Sequence, residues 1–187
     1  DFGTPEQQEI ARQNIAGKRM LALAVTEPDA GSDIQNIQTQ ARRDGDDWII
    51  DGMKAFITLG GDADTLVLLA QTNPEEGRRG MRFFAVDRET PGVVPSQISM
   101  YSNRPVPTYR VALNNVRVPG DRLVDAGFRE IMAGFNRERV MVAARWLGHM
   151  QHAHDWALEY AQTRHQFGKP IGSNQSIAFK LAQDKVD

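Results

Sequence analysis

Residues 39–61 read TQARRDGDDWIIDGMKAFITLGG, and they decide the fold class. The segments TQARR, DDWII and MKAFIT are strand-like, and they are separated by Asp44-Gly45 and Asp51-Gly52. Such Asp-Gly pairs favour tight hairpin turns, because glycine takes up the positive φ those turns need. Gly60-Gly61 breaks the pattern again. On the N-terminal side, MLALAV (20–25) is a buried run stopped by the turn-forming EPDAGSD (27–33). On the other side, TLVLLAQT (65–72), MRFFAV (81–86) and YRVALNNVRV (109–118) continue the theme. Short strands at this spacing predict an all-β sandwich or barrel of about 100 residues.

Both flanks are helical. In residues 1–19, Thr4 can cap, Pro5 suits a first helical position and Gly17 ends the pattern. From Phe128 the period changes: Ile131, Phe135, Val142, Trp146, Met150, Ala153 and Ala157 recur at helical steps, predicting a helix of about 36 residues. It is expected to stop near Phe167-Gly168, with Pro170 barring continuation. Ser173 is the expected cap of a second helix containing Ile177 and Leu181. A helix this long packs against other long helices. The chain is therefore expected to be an internal piece of a larger protein, or to receive its missing layer from partners.

Composition narrows the function classes. Of 187 residues, 41% are hydrophobic and 16 are glycine, which excludes wholesale disorder. Charged residues make up 25%, and 22 basic against 24 acidic side chains give a net charge of -2. That balance argues against nonspecific nucleic-acid binding, which needs a clustered basic surface. The absence of Cys excludes disulfides, thiolate metal sites and Cys nucleophiles. Mean hydropathy is -0.47, and no apolar run approaches the roughly 18 residues of a membrane span. The N-terminus does not resemble a signal peptide, so a soluble intracellular protein that is not secreted is expected.

Glu138 lies three residues after Phe135 and four before Val142, within the apolar stripe of the long helix. Burial disfavours a charged carboxylate and raises its pKa, as a general base for a weakly acidic C–H requires. An ion pair with Arg139, Arg145 or another helix would account for the same position. In Thr26-Glu27-Pro28-Asp29-Ala30-Gly31-Ser32-Asp33, the amides of Gly31 and Ser32 could form a phosphate-binding nest, or the segment could be an ordinary turn. Lys54-Ala55-Phe56-Ile57-Thr58-Leu59-Gly60-Gly61 reads on its own as a strand and hairpin turn, with Phe56 in the core and Thr58 at the strand surface. His149 and His152 share a helix face with His154 nearby, but no third ligand of suitable spacing accompanies them, so no metal site is predicted. The sequence carries no Ser-His-Asp order, P-loop or G-x-G-x-x-G.

Taken in order, AVTEPDAGSD, DGDDWIIDGMKAFITLGGDAD, NNVRVP, and RHQFGKPI followed by Gln175 closely resemble the acyl-CoA dehydrogenase family. The resemblance covers nearly the whole chain. It implies a multidomain α+β fold: an N-terminal helical domain, a middle β-domain and a C-terminal antiparallel four-helix bundle, assembled as a homotetramer or homodimer. Residues 1–20 would end the first domain, 21–122 form the β-domain, and 123–187 open the bundle. The implied chemistry is α-proton abstraction from an acyl-CoA thioester with β-hydride transfer to N5 of FAD. The product is a trans-2-enoyl-CoA, and the electrons pass on to an electron-transfer flavoprotein. Positioning and electrostatics supply most of the protein's share of such a reaction.

Carried over by motif, Leu23, Val25, Thr26, Gly31 and Ser32 would line the flavin, with the Thr26 hydroxyl near its pyrimidine edge. Phe56 would lie against the ring and Thr58 would bond the flavin, with Ile57 also at the cofactor, and Ser32 would also approach the CoA portion. Arg164, Phe167 and Gln175 match residues that reach the FAD of a neighbouring subunit. Glu138 matches the catalytic base of members resembling isovaleryl- and long-chain-acyl-CoA dehydrogenases, whereas most others carry a Glu in a C-terminal loop. Arg139 matches the residue holding the CoA moiety, and Asn136 stands where a substrate-binding Asp is common. The chain departs from the family pattern at Tyr101-Ser102-Asn103-Arg104-Pro105-Val106-Pro107-Thr108, which replaces a W-R-x-[ST] loop, and at the shortened turn Val124-Asp125-Ala126-Gly127. The resemblance implies a bacterial cytoplasmic or mitochondrial matrix location. Competing readings are an oxygen-using relative, such as an acyl-CoA oxidase or flavin monooxygenase, and a non-enzymatic relative used in DNA-damage response or scaffolding.

Overall fold

The computed structural model describes residues 3–101, 105–126 and 128–186. Two compact units emerge, Asp1–Ile131 and Met132–Asp187. The fold is mixed α+β.

The first unit opens with helix α1 (Pro5–Ile15). Thr4 and Gln7 form a reciprocal capping box with Pro5 in the first turn, which satisfies amides the helix itself leaves without partners. Gln7 Nε2 also donates to the carbonyls of Asp121 at 2.6 Å and Leu123 at 2.9 Å, tying α1 to the far end of the unit. After Gly17, at φ 68, the strands begin.

They are β1 (Leu21–Ala24), β2 (Gln40–Asp44), β3 (Asp47–Thr58), β4 (Thr65–Gln71), β5 (Met81–Asp87), β6 (Val93–Ile98), β7 (Thr108–Val118) and β8 (Leu123–Val124). They make one sheet in the order β6-β7-β3-β2-β4-β5-β8, with β1 parallel to β4 beside that path. β6 was not read from the sequence. It is an edge strand carrying Pro95, a residue that tolerates only such positions because it cannot donate to a ladder.

The sheet curls. β3 and β5 are separated by β2 and β4, which in a flat sheet would hold them about 14 Å apart. Yet the rings of Trp48 on β3 and Phe84 on β5 meet edge-on at 5.4 Å. Ala24, Ile50, Ile57, Leu66, Leu68, Phe84, Val111 and Val116, from five strands, join one buried cluster. These strands thus feed a single core, with one correction to the sequence reading: DDWII and MKAFIT are not separated by a turn at Asp51-Gly52 but run on as the single 12-residue strand β3.

Two irregularities bend β3 and β7. Ile50 and Gly52 pair with Val116 and Leu113, so β7 holds one extra residue there, where Asn115 takes φ 50. Lys54 and Ile57 pair with Val111 and Tyr109, so β3 holds one extra residue at Ala55-Phe56. Bulges of this kind re-aim side chains and end regular pairing.

The second unit contains most of helix α2 (Phe128–Thr163, 36 residues) and helix α3 (Gln175–Val186). α2 ends four residues before the expected Phe167-Gly168. Those two residues, at φ 52 and 76, instead form the two-residue turn of a small hairpin between β9 (His165–Gln166) and β10 (Lys169–Pro170), as consecutive positive φ values favour. Nor does Ser173 cap α3: its hydroxyl donates to the Pro170 carbonyl at 2.7 Å. The amides of Ile177 and Ala178 donate to the Asn174 carbonyl.

Candidate functional site

At the end of β1 the side chains alternate. Ala22 and Ala24 are buried, while Leu23 between them is 45% exposed. The chain then turns back at once: the Glu27 amide donates to the Ala30 carbonyl at 2.9 Å, and the Ala30 amide returns the bond at 3.3 Å. Ala30 is buried by this turn, and Gly31 and Ser32 follow it exposed at the surface.

The bulge on β3 meets this segment. Because Ala55 is displaced from its ladder, its amide donates to the Thr26 carbonyl at 2.8 Å. Phe56 takes φ 57, an uncommon backbone state for a bulky residue that draws attention to the position. Its side chain is 60% exposed, so the core position read for it from strand pattern alone is overturned. Thr58, two residues on, is also exposed, while Ile57 between them is 2% exposed and belongs to the core. Ile57 can therefore meet a ligand only through its backbone. The Gly60-Gly61 turn that follows is closed against Tyr109, since a Cβ on Gly61 would fall 2.4 Å from that ring. The Tyr109 hydroxyl donates to Asp62 at 3.0 Å.

Behind this rim lies an ion pair that the sequence reading did not single out. Lys54 Nζ donates to Glu27 Oε1 at 2.7 Å and to the Val25 carbonyl at 3.1 Å. The two side chains are 0% and 3% exposed. Glu27 also accepts from the amides of Gln38 at 2.6 Å and Thr39 at 3.1 Å. Burial alone would raise the Glu27 pKa, but the Lys54 charge and these hydrogen bonds outweigh it and hold the carboxyl below its ordinary value. Burial pushes the Lys54 ammonium the other way, down from the usual lysine range, with Glu27 opposing the shift.

The structure therefore joins Val25 and Thr26 to Lys54 and Ala55, beside Phe56 and Thr58 on β3. Gly31 and Ser32 lie just past the turn. The remaining predicted residues are on the helical unit. Asn136 and Arg139 face each other one turn apart on α2, with Arg139 Nη1 donating to Asn136 Oδ1 at 2.7 Å. Glu138 is exposed on the same helix. The packed interior expected around it is not seen: on the stripe, Val142 and Trp146 are 38% and 58% exposed, Phe135 is half-buried and Ile131 is buried. Arg164 follows the end of α2, with its amide bonded to the Tyr160 carbonyl. Phe167 is 98% exposed in the hairpin turn, and Gln175 opens α3. Ser102, Asn103, Arg104 and Gly127 lie outside the described residues.

Two histidines of the α2 cluster meet tryptophans in tilted ring contacts. His152 lies 4.5 Å from Trp156 and His149 lies 5.5 Å from Trp146, between ring centroids. A cleft of about 550 Å³ in this unit is lined by His154, Leu158, Ala161, Pro170 and Leu181 among others. None of the predicted site residues lines it.

Comparison with known proteins agrees with this arrangement. Residues 22–116 match the profile described as acyl-CoA dehydrogenase, middle domain, and residues 125–187 match acyl-CoA dehydrogenase, C-terminal domain. The chain is 38% identical to acyl-CoA dehydrogenase FadE12 of Mycobacterium tuberculosis, over 100% of this chain and 49% of the relative. It thus spans about half the length of the curated relatives it matches. Among solved structures, a glutaryl-coenzyme A dehydrogenase in complex with glutaryl-CoA superposes with a TM-score of 0.94 at 31% identity, over 99% of this chain and 48% of that one. The prolyl acyl carrier protein oxidase AnaB gives a TM-score of 0.93 at 32% identity, over 99% and 50%. With both profiles in the same order as the two units, the chain belongs to the acyl-CoA dehydrogenase family, FAD-dependent oxidoreductases acting on CH–CH donors.

Proposed function

We propose that the chain is the flavin- and substrate-binding middle of an acyl-CoA dehydrogenase that converts an acyl-CoA thioester to its trans-2-enoyl-CoA. FAD, when bound, supplies the acceptor for the β-hydride. The observation that carries this reading is Thr26 held against the β3 bulge by the Ala55 amide, next to an exposed Phe56 at positive φ. Hydroxyls at Thr26 and Thr58 beside the exposed apolar side chains of Leu23 and Phe56 are the donor set that a planar, partly apolar ring with polar edges requires. Gly31, where a Cβ would meet nothing within 4 Å, and Ser32 leave an open approach for the cofactor and for the CoA portion.

In this reading Glu138 takes the α-proton and Arg139 binds the CoA moiety, with Asn136 orienting the Arg139 guanidinium through their hydrogen bond. A carboxylate abstracting a weakly acidic C–H proton works best when desolvated, so Glu138 acts in an assembly that covers the α2 stripe. Residues 123–187 then begin a four-helix bundle, 21–122 form the middle domain and 1–20 close a preceding helical domain. Arg164, Phe167 and Gln175 serve the FAD of a neighbouring subunit in a homotetramer or homodimer. An electron-transfer flavoprotein takes the electrons, in the bacterial cytoplasm or a mitochondrial matrix. No helix of the described residues is long and apolar enough to cross a membrane.

A second reading, electron transfer to oxygen, is favoured by one observation: the oxidase AnaB superposes as well as the dehydrogenases do. Anaerobic absorbance titration of the FAD-loaded protein with acyl-CoAs, from short branched to long straight, tests both. The dehydrogenase reading expects flavin bleaching with at least one acyl-CoA, loss of bleaching in Glu138→Gln with FAD still bound, and slow recovery of colour in air. Fast recovery in air supports the oxidase reading. Bound FAD that no acyl-CoA bleaches contradicts both.

A further inference from the structure

A buried ion pair is a poor stabiliser. Desolvating two charges costs several kcal/mol per ion, and well-packed apolar residues of the same volume often serve stability equally well or better. Lys54 and Glu27, with almost no exposed surface, therefore call for a role besides holding the core together. Their bonds indicate one. Lys54 Nζ grips the Val25 carbonyl, and the next residue's amide, on Ala55, grips the Thr26 carbonyl. Both peptides flanking the Thr26 Cα are thus tied to β3. Glu27 in turn anchors the amides of Gln38 and Thr39, so the pair clamps three segments around one residue of the rim.

We infer that the Lys54–Glu27 pair positions Thr26 for the flavin and polarises the Val25–Thr26 peptide toward it, favouring the more electron-rich state of the bound flavin. The physical basis is the shared peptide. An ammonium bonded to the Val25 carbonyl draws electron density along that peptide and makes the Thr26 N–H a stronger donor. It does so in a buried setting where the charge is weakly screened. This inference rests on the FAD reading above. Lys54 and Glu27 are positioning residues: they act through Thr26, and neither takes part in the chemistry.

The test is the reduction potential of bound FAD and its visible spectrum, measured in wild type and in Lys54→Met/Glu27→Gln. The double substitution removes both charges together, so no uncompensated charge remains buried and the fold is retained. Its thermal midpoint is recorded alongside. The expected result is a preference for reduced over oxidised flavin that falls about tenfold, a potential lower by about 30 mV for a two-electron couple, with a shifted absorption band. Lys54→Met alone leaves the Glu27 charge unpaired and is expected to lose FAD altogether or to fail to fold. An unchanged potential and spectrum in the folded double variant overturns the inference while leaving the FAD reading intact. Wild-type protein that takes up no FAD overturns both.

Discussion

Phe84, Leu66, Leu68 and Val111 in the β unit have no exposed surface, whereas Trp146, Leu147, Met150 and Trp156 on α2 are between 58% and 68% exposed. Both regions carry apolar residues at the period of their own secondary structure. The difference is what meets them. A curled sheet brings its inner face against itself, so eight strands suffice for a dry core. A single long helix has no second surface of its own, and most helical stability in proteins comes from packing an apolar face. The β unit therefore buries its apolar face within itself, whereas the apolar residues along α2 stay largely exposed.

The largest effect that separates the two units is a pair of truncations. Phe84→Ala is expected to destabilise the β unit by about 3–5 kcal/mol, since it removes a fully buried ring and leaves a cavity. Trp146→Ala on the exposed stripe is expected to change the stability of the single chain, at concentrations where it is monomeric, by less than about 0.5 kcal/mol. Urea unfolding followed by intrinsic fluorescence and circular dichroism measures both. Equal losses would show that the α2 stripe is packed in solution.

Glycines sharpen the same contrast with a smaller effect and opposite signs. Gly52 has φ 151, and a Cβ there would lie 2.7 Å from the Thr39 Cα. Gly52→Ala is expected to cost roughly 1–3 kcal/mol through backbone strain and overlap. A Cβ on Gly148, within α2, would meet nothing within 4 Å. Gly148→Ala is expected to stabilise the helix by roughly 0.5–1 kcal/mol. Thermal melts read at the helical and sheet wavelengths distinguish the two.

Acid provides a third contrast. The folded-state pKa of Glu27 is lowered, net of burial, by Lys54 and by hydrogen bonds from Lys54, Thr39 and Gln38. Its contribution is therefore fully present above the ordinary value of 4.5. That contribution is lost as pH falls below 4.5 through the lowered folded value, because the unfolded state then binds the proton more readily. The β unit's urea midpoint should fall over that window in wild type, and less in Lys54→Met/Glu27→Gln. Identical acid slopes in the two proteins would remove the pair from the account.

How much was legible in the sequence follows from the kind of signal each feature gives. Asp44-Gly45 is a local signal, and the hairpin it implies joins β2 to β3. Asp51-Gly52 gives the same local signal but does not turn the chain, because it lies inside the continuous strand β3 at the register shift opposite Asn115, where Gly52 takes φ 151. The 3.6-residue period marked α2 from its first residue. Its end was misplaced because Phe167-Gly168 reads equally as a helix stop and as a hairpin turn, and only the pairing of Gln166 with Lys169 decides between them. Phe56 was ambiguous for a related reason. A bulge shifts the strand's inside–outside alternation by one, and nothing in MKAFIT marks where the extra residue falls. The Lys54–Glu27 pair was invisible because its partners are 27 residues apart, a separation at which only the folded sheet brings them together. Glu138 was placed within a packed stripe by periodicity, which identifies the face of a helix but not whether anything covers it.

The central claim is that the rim formed by Thr26, Phe56 and Thr58 is the flavin site. Titration of the protein with FAD, wild type beside Phe56→Ala, followed by flavin absorbance, tests it most directly. The account predicts saturable binding of one FAD per chain in wild type and affinity about tenfold weaker in the variant, the worth of one aromatic contact. Equal affinity in the two proteins, or no uptake of FAD by wild type, would contradict it.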